Sequence, residues 1–246
     1  MQYIALTLIN MGIKYKVNKN SFKKWGRDMA YVLGYLYADG SLEDAYYLRG
    51  KYLRVTSIDK KTIQNIKTYL KSEHKIVKLY PGKLNGKIHG KIRYFLRIGD
   101  HALYDSLIKL GLYPNKSLNI KFPKIPKKYL NDFIRGYFDG DGCVYLGLSK
   151  GKRQKLIIKK LSIIFTSGSL EFLEKMGETL KKTCQLKKNK VYNSKRSYQL
   201  RYSTNDTIKL YLFIYKKNPT LFLKRKFYIF QKYFQLKQKM AWCPSS

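Results

Sequence analysis

The sequence predicts an α+β protein built from two copies of one domain, and three observations carry that prediction. A short segment recurs, as YVLGYLYADGSL from Tyr31 and as FIRGYFDGDGCV from Phe133. Behind each copy, apolar spacing alternates between helical and strand periods in the order helix, two strands, helix, two strands, helix. The chain is 44% hydrophobic and 15% aromatic, enough apolar side chain to form a core, which excludes a disordered basic tail. Its 246 residues have room for two units of about 100 to 120 residues.

In the first unit the spacing predicts a helix over 28–38, with Asp28 as its cap and Gly40 as its stop. Strands are expected over 46–57. Asp59 then caps a helix through 70, since Ile63, Ile66 and Leu70 fall on one helical face. A turn of composition PGKLNGK separates strands at 75–80 and 87–98, and Asp100 opens a helix that ends near Gly111. The following stretch, with Pro114, Pro123 and Pro126, reads as a connection. The second unit repeats the order, with strands near Val144 and over 156–166, a helix over 169–182, strands near Val191 and Ser197, and helices to about Lys239. The expected boundaries are 1–111 for the first half, with 1–27 an N-terminal extension, 112–128 for the linker and 129–246 for the second half.

The copies stay in register. Gly34 matches Gly136, Tyr35 matches Tyr137, Asp39 matches Asp141 and Gly40 matches Gly142, at a constant offset of 102 residues. Further on, Thr56-Ser57 corresponds to Thr166-Ser167 and Leu96-Arg97 to Leu200-Arg201, while Lys116 and Lys226 both come late in their halves.

Charge narrows the partners. Lys and Arg number 51 against 15 Asp and Glu, a net charge of +36, and an imbalance of that size repels itself unless a polyanion supplies the missing charge. Nucleic acid is the leading candidate. The longest apolar stretch, 29–38, is half of the ~20 residues a membrane-spanning helix needs, and the apolar stretch 3–13 lacks the basic region of a signal peptide. Cys143, Cys184 and Cys243 show no CxxC spacing, and His74, His89 and His101 are scattered. A disulfide framework, a zinc ribbon and a His-ligated metal are therefore not expected, and a reducing intracellular compartment is.

Alternation on the 87–98 strand separates Ile92, Tyr94, Leu96 and Ile98 from Lys91, Arg93 and Arg97. In the second half Lys195, Ser197, Gln199 and Arg201 alternate with Arg196, Tyr198, Leu200 and Tyr202. Forked cations and amides on one sheet face are the donors that read base edges in a major groove. Arg49 and Lys51 extend the same candidate DNA-binding set.

An Asp-Gly pair after a helix is ordinarily a turn. Here it occurs twice, and each time a glycine lies four residues before another small residue on one helix face: Gly34 and Ala38, Gly136 and Gly140. Small residues at that spacing let two helices approach closely, which would bring Asp39 and Asp141 together at the helix ends. Converging carboxylates repel unless a cation joins them, and Mg²⁺ prefers such oxygen ligands. Asp139, opposite Tyr37 in the other copy, should point elsewhere on the helix in a structural role.

On these two motifs the chain resembles the LAGLIDADG homing endonucleases of the single-chain, two-motif kind, over about residues 20–234. The resemblance implies motif helices packed at a pseudo-twofold axis and a four-stranded antiparallel sheet from each half, the two forming a DNA-binding saddle. It implies metal ligation by Asp39 and Asp141 with the carbonyls of Ala38 and Gly140, and Mg²⁺ as cofactor, with Mn²⁺ or Ca²⁺ able to occupy the same sites. It carries Lys116 and Lys226 over as cations beside the scissile phosphates, and Ser57, Lys61 and Ser167 as organisers of active-site water. The implied reaction is hydrolysis of both strands of a long double-stranded DNA site by a monomer. Because both halves keep the aspartate, a double-strand cutter is favoured over a nickase. The competing readings are an RNA-binding maturase acting on intron RNA and a catalytically silent DNA-binding protein. A whole intein is disfavoured, since the sequence lacks a nucleophile at its first residue and a terminal His-Asn pair, while an endonuclease domain excised from one stays open. The expected setting is the cytoplasm of a prokaryote or an organelle whose genome encodes the chain.

Overall fold

The computed structural model describes residues 15–46, 50–84, 87–151, 156–187, 190–216 and 218–241. Two helices form its centre, α1 (Arg27–Asp39) and α4 (Leu130–Asp141). Every residue of α1 from Met29 to Tyr37 is buried, as is every residue of α4 from Leu130 to Asp139. A helix enclosed on all sides needs no polar stripe, which explains the continuous apolar run in α1. The start of α1 differs from the expectation. Gly26 occupies the cap position without a side-chain bond, and Asp28 lies inside the first turn, where its charge complements the helix dipole.

Each central helix passes straight into a strand. β1 (Gly40–Ala45) begins at Gly40 and β7 (Gly142–Lys150) at Gly142. Both glycines are extended, at φ −84° and −90°, so it is space that favours glycine. A Cβ at Gly40 would lie 2.7 Å from the Leu36 carbonyl oxygen, and one at Gly142 2.5 Å from that of Phe138. β1 thus starts six residues before the expected strand. Its sequence, GSLEDA, has little strand propensity, and pairing with β2 (Gly50–Ser57) makes it a strand.

The first half continues with α2 (Lys60–Tyr69), β3 (Ile76–Leu79), β4 (Gly82–Leu84), β5 (Lys87–His89), β6 (Arg93–Gly99) and α3 (His101–Lys109). The expected PGKLNGK turn is itself a small hairpin, β4 against β5, and the expected 87–98 strand is two strands divided at Gly90, where φ is +103°. Asp100 caps α3 as anticipated, its carboxylate accepting from the Leu103 amide at 2.8 Å. The second half adds β8 (Leu156–Ser167), α5 (Leu170–Cys184), β9 (Val191–Ser194), β10 (Ser197–Tyr202), α6 (Thr204–Ile214) and α7 (Lys224–Ala241).

The sheets have the same antiparallel order, β1-β2-β6-β3 and β7-β8-β10-β9. On each, one face joins the core through Leu42, Leu53, Val55, Leu96 and Ile98, or Val144, Ile163, Phe165, Leu200 and Tyr202. These residues belong to one contiguous core that spans both halves. The opposite faces look outward. No helix among the described residues is long and apolar enough to cross a membrane.

Candidate active site

The site is assembled by the contact between α1 and α4. A Cβ on Gly34 would lie 2.0 Å from the Phe133 carbonyl oxygen and 3.0 Å from the Tyr137 nitrogen. One on Gly136 would lie 2.0 Å from the Tyr31 carbonyl oxygen and 2.9 Å from the Tyr35 nitrogen. Residues 31, 34 and 35 thus meet 133, 136 and 137, their own equivalents at the 102-residue offset, crosswise. This is an isologous contact about a pseudo-twofold axis within one chain. Nearer the helix ends, a Cβ on Gly140 would fall 2.3 Å from that of Ala38 and 3.4 Å from Asp39 Oδ2.

Asp39 and Asp141 therefore emerge side by side, both reachable from solvent. Protein crowded around them raises both carboxyls above the usual carboxylate range. For Asp141 this crowding and then the charge of Asp39 push the pKa up to about 6, against the opposing pull of Lys116 and Lys226. For Asp39 the same crowding is opposed first by the Tyr35 phenol and then by Lys226, Lys116 and Arg225. The Tyr35 hydroxyl donates to Ser57 Oγ at 3.1 Å, and its counterpart Tyr137 donates to the Thr166 carbonyl at 2.7 Å.

Lys116 and Lys226 lie near enough for their charges to act on both aspartates, as expected, but their ammonium groups do not point outward as those of phosphate-facing cations would. Both are buried, with their ammonium groups turned onto the carbonyls that end the central helices. Lys116 donates to Tyr37 O at 2.7 Å and Ala38 O at 3.3 Å. Lys226 donates to the carbonyls of Phe138, Asp139, Gly140 and Gly142, and burial pulls its pKa down to about 8. The last carbonyls of a helix lack intrahelical partners, and a cation there also complements the dipole. Lys226→Met, which removes a donor shared among four carbonyls, is expected to destabilise the metal-free protein by about 3 kcal/mol, and Lys116→Met by about half as much. Thermal denaturation checks this, and unchanged melting in both variants would show that the lysines do not hold the helix ends.

Five further hydrogen bonds surround the segment that leads into α7 and Lys226. Asp139 accepts from the Tyr31 hydroxyl across the helix interface at 2.8 Å and from the Leu223 amide at 2.7 Å, fastening the loop before α7. The fully buried Arg135 donates to the carbonyls of Ile214 and Leu221 and to Asp132. In the first half Tyr37 takes the place of Asp139, its hydroxyl donating to Leu110 O.

The sequence reading missed Arg225, about half exposed, which donates to Asp59 of the other half at 3.1 Å and whose charge acts on Asp39. Its position inside a basic run, FLKRK, hid it. Ser57 and Ser167 each accept from a backbone amide two residues on, those of Asp59 and Ser169, and so stabilise local turns. Lys61 is exposed in the first turn of α2. Among the described residues no group of three or more His, Cys, Asp or Glu side chains is placed to hold a metal. Any cation here would have two carboxylates, backbone carbonyls and water, an all-oxygen set that suits Mg²⁺ or Ca²⁺.

The outer sheet faces carry Arg93, Arg97, Ser197, Gln199 and Arg201, as the alternation predicts. Three expected DNA contacts are placed differently. Lys51 shares the helix-side face with Leu53 and pairs with Asp105 of α3 at 3.1 Å, because strand parity sends odd-numbered residues of β2 inward. Lys91 lies in the segment between β5 and β6, and Lys195 is at the tip of the β9–β10 turn with φ +39°. Arg49 lies outside the described residues. A cavity of about 730 Å³ between the 122–130 segment and α5 lies away from the aspartates.

Residues 128–214 match the family model described as a LAGLIDADG-like domain. Curated relatives include a probable translation initiation factor IF-2 of Methanocaldococcus jannaschii, 37% identical over 114 residues, 42% of this chain. A reverse gyrase of the same organism is 30% identical over 158 residues, 64% of this chain. The chain spans 9% of the length of each. Among solved structures, the LAGLIDADG meganuclease I-AabMI bound to uncleaved DNA is similar at TM-score 0.56 and 15% identity, covering 88% of this chain and 92% of that one. I-SmaMI bound to an uncleaved DNA target in the presence of calcium ions is similar at TM-score 0.56 and 14% identity, covering 90% and 95%. The homing endonuclease I-WcaI bound to its DNA recognition sequence is similar at TM-score 0.56 and 16% identity, with the same coverage. With its crossed glycine helices and matched sheets, the chain has the duplicated fold of the LAGLIDADG homing endonucleases, and its residues 128–214 match the LAGLIDADG-like domain in sequence as well.

Proposed function

We propose that the protein is a site-specific DNA endonuclease that lays a duplex across the outer faces of its two sheets and hydrolyses one phosphodiester in each strand. The observation that carries this reading is the pair of equivalent carboxylates, Asp39 and Asp141, at the ends of crossed helices that closely approach each other. The folds it resembles were solved on DNA, one of them with calcium. The relatives named as a translation factor and a reverse gyrase share less than a tenth of their length with the chain, so neither name describes the shared unit.

Asp39 and Asp141, with the carbonyls of Ala38 and Gly140, would hold divalent cations, Mg²⁺ being the expected one. Such a cation, when bound, polarises a phosphoryl oxygen and makes water a better nucleophile at neutral pH. Lys116 and Lys226 hold the carbonyl ends of α1 and α4 in place, so the carboxylates keep their separation when phosphate arrives. Arg225, held by Asp59, presents an exposed guanidinium beside Asp39 for a phosphate oxygen. The cationic sheet faces supply sequence-independent affinity by displacing counterions.

The test is incubation with Mg²⁺ and a plasmid library of genomic fragments, followed by sequencing of the ends produced. Double-strand ends at one site support the reading. Retention of duplex without any cut would favour the catalytically silent DNA-binding reading, and a preference for folded RNA over duplex the maturase reading. Affinity for duplex is also expected to fall steeply with salt, log K dropping by roughly 0.9 per phosphate neutralised for each tenfold increase. A flat profile in a titration from low to physiological salt would remove DNA from the sheet faces.

A further inference from the structure

We propose that Glu43 is a specificity element that locks Arg54 and Arg97 into a guanine-reading pair on the first sheet. The inference rests on the DNA-binding reading above and names part of what that face recognises. Arg54 and Arg97 are directly opposite each other on β2 and β6, and Ser41 is opposite Arg54 on β1. Two like charges at such a distance repel. Glu43 stands diagonally from both and receives one on each oxygen, Arg97 Nη2 at 3.2 Å on Oε1 and Arg54 Nη1 at 3.5 Å on Oε2.

Aromatic rings fix the planes of the guanidiniums. Tyr52 lies flat over Gly99, its partner across the strands, where a Cβ would come within 2.9 Å of the ring. The Arg97 guanidinium stacks on Tyr52, 3.6 Å from its centroid, and that of Arg54 lies 5.4 Å from the centroid of Phe95. Each guanidinium has five N–H donors in a rigid fork. One donor given to Glu43 leaves a pair for the O6 and N7 acceptors of guanine, the commonest specific contact in a major groove. An acid on a face that meets phosphate lowers affinity for every duplex alike. Its compensating effect is preorganisation of the two readers, so less conformational freedom is lost on binding.

The second sheet is built differently. There Arg201 donates to the neutral amide of Gln199 at 2.8 Å and lies over Tyr192 at 5.4 Å. The two sheets should therefore select different half-sites, with paired guanines under the first.

Selection of bound duplexes from a randomised DNA library tests the assignment. The wild-type protein should enrich guanine at two positions of one half-site. Arg54→Gln and Arg97→Gln should each lose about tenfold preference at one of those positions and leave the rest of the consensus unchanged. Arg97→Lys keeps charge but loses the fork, so it should lose the same preference with an unaltered salt slope. Glu43→Gln should weaken the preference at both positions while binding random duplex several-fold more tightly. A wild-type consensus without these guanines, or one unchanged in all four variants, overturns the assignment and leaves the DNA-binding reading intact. Failure of the wild-type protein to enrich any sequence overturns both. Matching melting temperatures for Arg97→Lys and wild type exclude misfolding as the cause.

Discussion

Replacing Gly136 by alanine is expected to destabilise the protein by about 3 kcal/mol, the upper part of the range for overpacked cores. Alanine is the better helix former by about 1 kcal/mol, so helix propensity alone predicts the opposite sign. The difference comes from a backbone contact. The added Cβ would meet the Tyr31 carbonyl oxygen at 2.0 Å, and backbone cannot rotate aside as a side chain can. Gly34→Ala should behave alike, since its Cβ would meet the Phe133 carbonyl oxygen at the same distance. The melting temperature should fall by about 10 °C for a chain of this size. Gly82→Ala is the control, because nothing lies within 4 Å of its Cβ position, and it should change stability by less than about 0.5 kcal/mol. A neutral or stabilising Gly136→Ala would show that α1 and α4 do not touch through their glycines.

Asp141→Asn and Asp39→Asn are expected to abolish double-strand cleavage, on the order of 10³-fold or more in rate, because a bound cation contributes several kcal/mol to such a transition state. Binding to duplex at low salt should remain or tighten slightly, since a negative charge is removed beneath phosphate. Stability should not fall. Crowding and the neighbouring Asp39 raise the Asp141 carboxyl to about 6 in the folded protein, above an ordinary aspartate. Stability is therefore lost as pH rises between those two values, and at pH 7 the charge works against folding. Asparagine removes that cost, so metal-free Asp141→Asn should melt no lower than wild type at pH 7. Undiminished cutting by either variant would remove the aspartates from the site. A large drop in melting temperature would instead mark them as structural.

Much of this site was legible before any coordinates. The duplicated segment, the small residues at Gly34, Ala38, Gly136 and Gly140, and the aspartates after them sit within twelve residues of sequence in each copy. Their geometry follows from helical periodicity alone. The strands were less legible where local chemistry was neutral. GSLEDA has little strand propensity, and β1 exists because Gly40 through Ala45 pair with Val55 through Gly50. Lys51 looked like one cation among many on a half-polar strand, yet strand parity turns it inward to Asp105.

The cations were hardest to place. Lys116 and Lys226 were found by their position late in each half, but their direction was not, since the carbonyls they cap belong to helices 79 and 88 residues away. Arg225, Glu43 and Arg54 were missed for the same reason. Their partners are 166 and 11 residues distant, and nothing in a run of basic residues marks which of them meets an acid.

By itself, the sequence determined that the protein is duplicated, that two helices meet through glycines, that two aspartates converge, and that the chain carries a net charge of +36, which calls for a polyanionic partner. These follow from short-range spacing and total charge, both of which are present in the unfolded chain. Only the tertiary structure decided which lysines turn inward, which strand faces look outward, and which arginines share Glu43. Those outcomes depend on strand register and burial, and both arise only when segments far apart in sequence pack together.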